Sequence, residues 1–143
     1  AKKVAILLDL GIYAVLCIGE KERNEQGEHL NFIKNQIKAS LDKVQKKNIN
    51  NLIIAYEPIW AIGAKEAMEP AIVQEMVLFI KKTLADIYGH DNAISTSVLY
   101  GGSVNMRNAG DIIIKGQVDG LLVGRESVNI SSFKELLIAV NSL

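Results

Sequence analysis

Ala55-Tyr56-Glu57-Pro58-Ile59-Trp60-Ala61-Ile62-Gly63 is the stretch whose reading decides the fold. The short apolar run Leu52-Ile53-Ile54-Ala55 leads into it and delivers one carboxylate, Glu57, to its C-terminal end. Pro58 and Trp60 follow, and Gly63 opens a loop before the next helical pattern. In parallel α/β proteins, ligands gather outside the carboxyl ends of strands, so Glu57 stands where chemistry is expected. A carboxylate beside Trp60 and isoleucines can also be desolvated, which raises its pKa toward that of a useful base. The same residues equally describe a solvated loop glutamate after a core strand. Position alone leaves both open.

Working outward, Lys2 to Leu10 puts Val4, Leu7 and Leu8 on one helical face, and Gly11 stops it. Ile12 to Ile18 is a continuous apolar run, expected as a strand buried on both faces. After the polar stretch Lys21 to Glu28, apolar residues recur at helical spacing from Leu30 through Ile33, Ile37 and Leu41 to Val44. Pro70 suits the first turn of a helix that ends at Gly89, with Ile72, Val73, Met76, Ile80, Leu84 and Ile87 inward. Ser97 to Tyr100 reads as a third strand and Val118 to Val123 as a fourth. Asn105 can cap a short helix between them, and Ser132-Phe133-Lys134-Glu135 is a capping box for the last helix. The result is an α/β chain: a leading helix, then four strand–helix units. That order fits a small open parallel sheet or half of a (β/α)8 barrel, since four units are too few to close one. An open sheet leaves two unpaired edges and an apolar face, which invite association.

The 143 residues suit a single domain, 1–143, and nearly half of them are apolar, enough for a sizeable core. The charges balance at 16 basic against 16 acidic, which gives no footing for nucleic-acid or membrane binding. Any phosphate must then be held locally. One cysteine, Cys17, excludes an intramolecular disulfide and a cysteine-based metal site and suits a reducing compartment. With no signal peptide or membrane-length apolar run, a soluble cytoplasmic protein is expected, without metal or cofactor.

Distinctive residues follow the last three strands: Glu57, then Gly101-Gly102-Ser103, then Gly124-Arg125. Adjacent glycines let backbone N–H groups approach an anion, and Ser103 adds a hydroxyl. Taken singly, each glycine pair is more often just a tight turn. Their occurrence at successive strand ends, beside a strand-end carboxylate, favours a site.

Four segments in order carry a family resemblance: Leu16-Cys17-Ile18-Gly19-Glu20, Ala55 to Gly63, Tyr100-Gly101-Gly102-Ser103-Val104-Asn105, and Asp119-Gly120-Leu121-Leu122-Val123-Gly124. The chain resembles the C-terminal part of the triosephosphate isomerase family, from the fourth barrel helix to the end. The resemblance implies a half of the (β/α)8 TIM barrel. It implies that Glu57 moves a proton between two carbons of a triose phosphate through an enediolate; the Glu base of that family is a standard worked case. Pro58 to Met68 becomes a lid, with Trp60 in its hinge and Tyr100 holding it closed. Gly63, Ser103, Gly124 and Arg125 become the phosphate site. For Trp60 and Tyr100, ordinary aromatic packing stays an equal reading. Glu20 and Cys17 match family positions near the site; Cys17 is expected to be a packed thiol. His29 and His90 are expected at the surface.

The chain departs from the family pattern in three places. The family's Lys and Asn after the first strand and His after the fourth, the electrophilic half of the site, have no counterpart here. After Gly63 the family usually has Thr-Gly-Lys-Thr-Ala, where this chain has Ala64-Lys65-Glu66-Ala67-Met68. Arg125 stands where Gly is common. The resemblance therefore implies a split isomerase that needs a complementary N-terminal half-barrel chain and is inactive, or nearly so, alone. Two other outcomes are a self-associating, catalytically silent half-barrel homodimer and a phosphate-ligand binding module without turnover.

Overall fold

Each strand hydrogen-bonds the strand that follows it in the chain, giving a four-stranded parallel sheet in the order β1-β2-β3-β4. The strands are β1 (Ala14–Ile18), β2 (Leu52–Tyr56), β3 (Ser97–Tyr100) and β4 (Gly120–Leu121). The structure is a computed structural model that describes residues 1–64 and 67–143. Lys65 and Glu66, inside the expected lid, lie outside the described residues. The helices are α1 (Lys2–Asp9), α2 (Glu28–Leu41), α3 (Pro70–Tyr88), α4 (His90–Ser95), α5 (Ala109–Ile114) and α6 (Ile130–Asn141).

A sheet that adds every strand on the same side, through right-handed crossovers, must carry its helices on one face. A doubly wound sheet reverses direction partway, and this one does not. The architecture is therefore half of a (β/α)8 barrel, one of the two that the repeat leaves open and the one that the family resemblance implies. The register sets Cys17 opposite Ala55, Ala55 opposite Leu99 and Leu99 opposite Gly120. The core lies between the sheet and its helices. Ile54 and Val98 meet Ile33 and Ile37 of α2, Val73, Met76 and Ile80 of α3, and Ile112 of α5 in one buried cluster. Burying each large side chain of this set stabilises the fold by about 1.5–3 kcal/mol.

The opposite face is open at β1. Val15 is 51% exposed and Cys17 is exposed too, so β1 is buried on one face rather than both, and Cys17 is not a packed thiol. The apolar run reports strand propensity, but burial of its second face needs a layer these residues do not supply. Beside it, Leu10 and Tyr13 are 70% and 68% exposed.

Other differences are local. The helical spacing predicted through Val44 stops at Leu41, and a 3-10 helix, Lys46–Asn51, leads into β2. Leu7 and Ile87 point outward, each 37% exposed. His90 begins α4, a helix the sequence did not announce. α5 starts at Ala109 with Asn108, not Asn105, at its N-cap position. α6 starts ahead of the supposed capping box: Asn129 is its N-cap, and its side chain accepts a bond from the Ser132 amide. β4 is shorter than the predicted Val118 to Val123, although pairing continues through bonds from Asp119 N to Val98 O and Leu122 N to Tyr100 O. Among the described residues, no helix is long and apolar enough to cross a membrane.

Candidate functional site

Glu57 follows β2 directly, and its amide donates to the Ile18 carbonyl at 2.7 Å, extending the β1–β2 ladder by one rung. That bond fixes the backbone, and the side chain settles over the turn after β3. A Cβ built on Gly101 would lie 2.6 Å from the Glu57 Cγ, far inside contact distance. A Cβ on Gly102 would overlap the hydroxyl end of Tyr100. The glycine pair is thus required by two neighbouring side chains, whatever it does for an anion. Composition shows that the pair is small; only the folded neighbours show why.

Cys17 lies across from Ala55, two residues before Glu57 on the neighbouring strand. Its thiol is pushed up to about 11, by the desolvation it does undergo, then by a hydrogen bond to Glu57 and by the charge of Glu57. An exposed thiol with so high a pKa is a poor nucleophile.

Trp60 does not cover Glu57. Its indole Nε1 donates to Glu20 Oε1 at 3.1 Å. Glu20, only 1% exposed, also accepts from Arg23 Nε at 2.8 Å and from the Tyr56 hydroxyl at 2.9 Å. Arg23 donates in turn to the Tyr56 oxygen at 2.8 Å, and its guanidinium lies 5.8 Å from the Trp60 ring centre. Burial on its own would raise the Glu20 carboxyl. The bonds from Arg23, the backbone, Trp60 and Tyr56 outweigh it and hold the group below its ordinary value. The Ile59 amide donates to the Glu20 carbonyl at 2.9 Å, so one residue ties down the start of the expected lid by backbone and side chain together. Arg23 and Tyr56 carry no signal as site residues in the sequence. They lie 33 positions apart and meet only because β1 and β2 are neighbours.

The far end of the expected lid is held differently. The fully buried Tyr100 accepts a hydrogen bond from the Met68 amide at 3.1 Å. Ser103 Oγ donates to the Ala64 carbonyl at 2.6 Å and lies 3.2 Å from that of Ala61. Pro58 is buried beneath the 3-10 turn Ile59–Ala61. Gly63 follows it with φ of +72°.

Gly63, Ser103, Gly124 and Arg125 come together around a cavity of about 250 Å3. Glu57 is not among the residues lining it, but adjoins it through the Gly101-Gly102 turn. The arrangement offers a carboxylate able to take a proton beside a pocket of backbone amides able to take an anion. His29, expected at the surface, is instead half-buried, and among the described residues its Nδ1 has no partner.

Known proteins bear on this geometry. The family profile described as triosephosphate isomerase matches residues 1–140. A triosephosphate isomerase of Fusobacterium nucleatum is 39% identical over 141 residues, covering 98% of this chain and 56% of the relative. One of Thermus thermophilus is 41% identical over 138 residues, covering 96% and 55%. One of Mycoplasma genitalium is 37% identical over 135 residues, covering 94% and 54%. The chain spans about half the length of the curated relatives it matches.

Proposed function

Because the chain belongs to the triosephosphate isomerase family, we propose that it supplies the proton-transfer and phosphate-binding half of a triose-phosphate isomerase. The reaction is the interconversion of dihydroxyacetone phosphate and glyceraldehyde 3-phosphate. Glu57 takes the proton from the carbon beside the carbonyl and returns it to the neighbouring carbon by way of an enediolate. The phosphate occupies the cavity between Gly63, Ser103 and Gly124-Arg125, while the lid from Pro58 to Met68 excludes water. The observation that carries this reading is the joint between base and pocket: the Glu57 side chain rests on Gly101, and the next two residues line the cavity.

The electrophile is the missing partner of this base. Neither histidine sits at a strand end: His29 is in α2 and His90 begins α4. Residues 1–143 therefore act as a half-barrel unit, completed by an N-terminal half that brings the Lys and His, in the cytoplasm and without a cofactor. The bare face of β1 and the exposed Leu10 and Tyr13 favour such docking. They equally favour a second reading, self-association of two half-barrels into a silent homodimer. Isomerase activity of the chain, alone and mixed with an N-terminal half-barrel, separates the two. Activity only in the mixture, lost with Glu57→Gln, supports the split enzyme. A complex without activity, or a homodimer that excludes the partner in sedimentation, supports the silent form. Phosphate binding with no turnover in any mixture, indifferent to Glu57→Gln, would reduce the chain to a binding module.

A further inference from the structure

We propose that the guanidinium of Arg125, beyond its backbone amide, is a specificity-determining cation of the phosphate pocket that selects a dianionic ligand; this rests on the phosphate reading above. The Arg125 side chain reaches back across the cavity to the lid: a Cβ placed on Gly63 would lie 3.8 Å from Arg125 Nη2. Among the described residues lining the cavity, Arg125 is the one cationic side chain, and none of them forms an ion pair with it. Glu126 lines the same cavity and is half-buried, so without Arg125 the pocket would present an anion with a carboxylate. Ser103 does not make up the difference, because its hydroxyl proton is engaged by the lid carbonyls of Ala64 and Ala61. Nor does the protein as a whole, whose formal net charge is zero. A planar guanidinium matches phosphate oxygens with two parallel N–H bonds, as it also matches a carboxylate, and its preference for a dianion comes from charge, because a fixed cation attracts two negative charges more strongly than one. Since the same group stands against Gly63, an anion gripped by Arg125 is also drawn under the lid.

The test is titration of the 15N-labelled chain with 2-phosphoglycolate and with inorganic phosphate, followed at the amides of Gly63, Gly102 and Gly124. The expected result is a shift of these amides in the wild type, a loss of about tenfold or more in affinity with Arg125→Gln, and a smaller loss with Arg125→Lys. The wild type should also bind more tightly as pH rises through the second phosphate ionisation near about 6, with a weaker dependence in Arg125→Gln. Arg125 is exposed, and retained dispersion of the spectrum confirms that each variant folds. Shifts at the three amides with equal affinity in wild type and Arg125→Gln overturn the role of the guanidinium while keeping the phosphate site. Absence of any shift at those amides overturns the phosphate reading, and the guanidinium role with it.

Discussion

Replacing Glu20 by Ala tests whether the Glu20–Arg23–Tyr56–Trp60 cluster, at the start of the proposed lid, is a structural anchor. The carboxylate is 1% exposed and takes side-chain bonds from Arg23, Tyr56 and Trp60. Its removal leaves the Arg23 charge without its anion and the Trp60 indole N–H without an acceptor, while Arg23 keeps the Tyr56 oxygen. Breaking a buried pair by deleting one partner costs about 3–5 kcal/mol. Because the Arg23 side chain retains 20% exposure, water recovers part of that, and about 3 kcal/mol is expected. With a urea slope of about 2 kcal/mol/M, the midpoint falls by about 1.5 M. The chain's single tryptophan is Trp60 itself, so its emission reports the same site without a label. The pH dependence has a definite sign. A carboxyl held below its unfolded value stabilises the fold fully above that value, and the contribution is lost as pH falls through the folded value. The stability gap between wild type and Glu20→Ala should therefore be widest above pH 4.5 and narrow as pH falls below it. An unchanged midpoint with unchanged Trp60 emission would refute the anchoring argument.

Three further outcomes are expected. Gly101→Ala places a methyl 2.6 Å from the Glu57 Cγ. If the proposed complementation yields an active isomerase, this substitution should lower its kcat at least about a hundredfold by displacing the proposed base, with a smaller change in KM. Cys17 should react slowly with iodoacetamide at pH 8 and accelerate toward pH 11, and Glu57→Gln should speed the reaction by removing the charge and bond that raise the thiol. Equal rates in both proteins would deny the Cys17–Glu57 contact. Asn129→Ala should cost about 1 kcal/mol in urea unfolding, whereas Ser132→Ala should cost little, because the side chain of Asn129 is what caps α6.

The alternation of apolar runs and helical spacing made the sheet and its helices legible, because both are driven by burial of one repeating face. Strand limits were less so. The run Ile12 to Ile18 reads as doubly buried, yet the second face of β1 has no layer to meet. Asn129 and Ser132 offer competing caps for α6 in the sequence, and the helix begins at Ile130, which leaves Ser132 inside it and Asn129 as the cap. At the site, the strand-end residues Glu57, Ser103 and Gly124 were visible as chemistry at the ends of apolar runs. The Glu20–Arg23–Tyr56–Trp60 cluster was not. Its members come from two segments, Glu20 to Arg23 and Tyr56 to Trp60, and only the β1–β2 register brings them within hydrogen-bond distance.

The strand order also has a consequence for the timing of assembly on the ribosome. Every ladder joins a strand to the one made just before it, so no pairing waits for a segment synthesised much later. Each new strand emerges onto a template that already exists, and the loop to be closed is a single crossover. The sheet can therefore grow vectorially, from β1 to β4, as the polypeptide is extruded. On that schedule Glu57 reaches its seat only when the turn carrying Gly101 has been made.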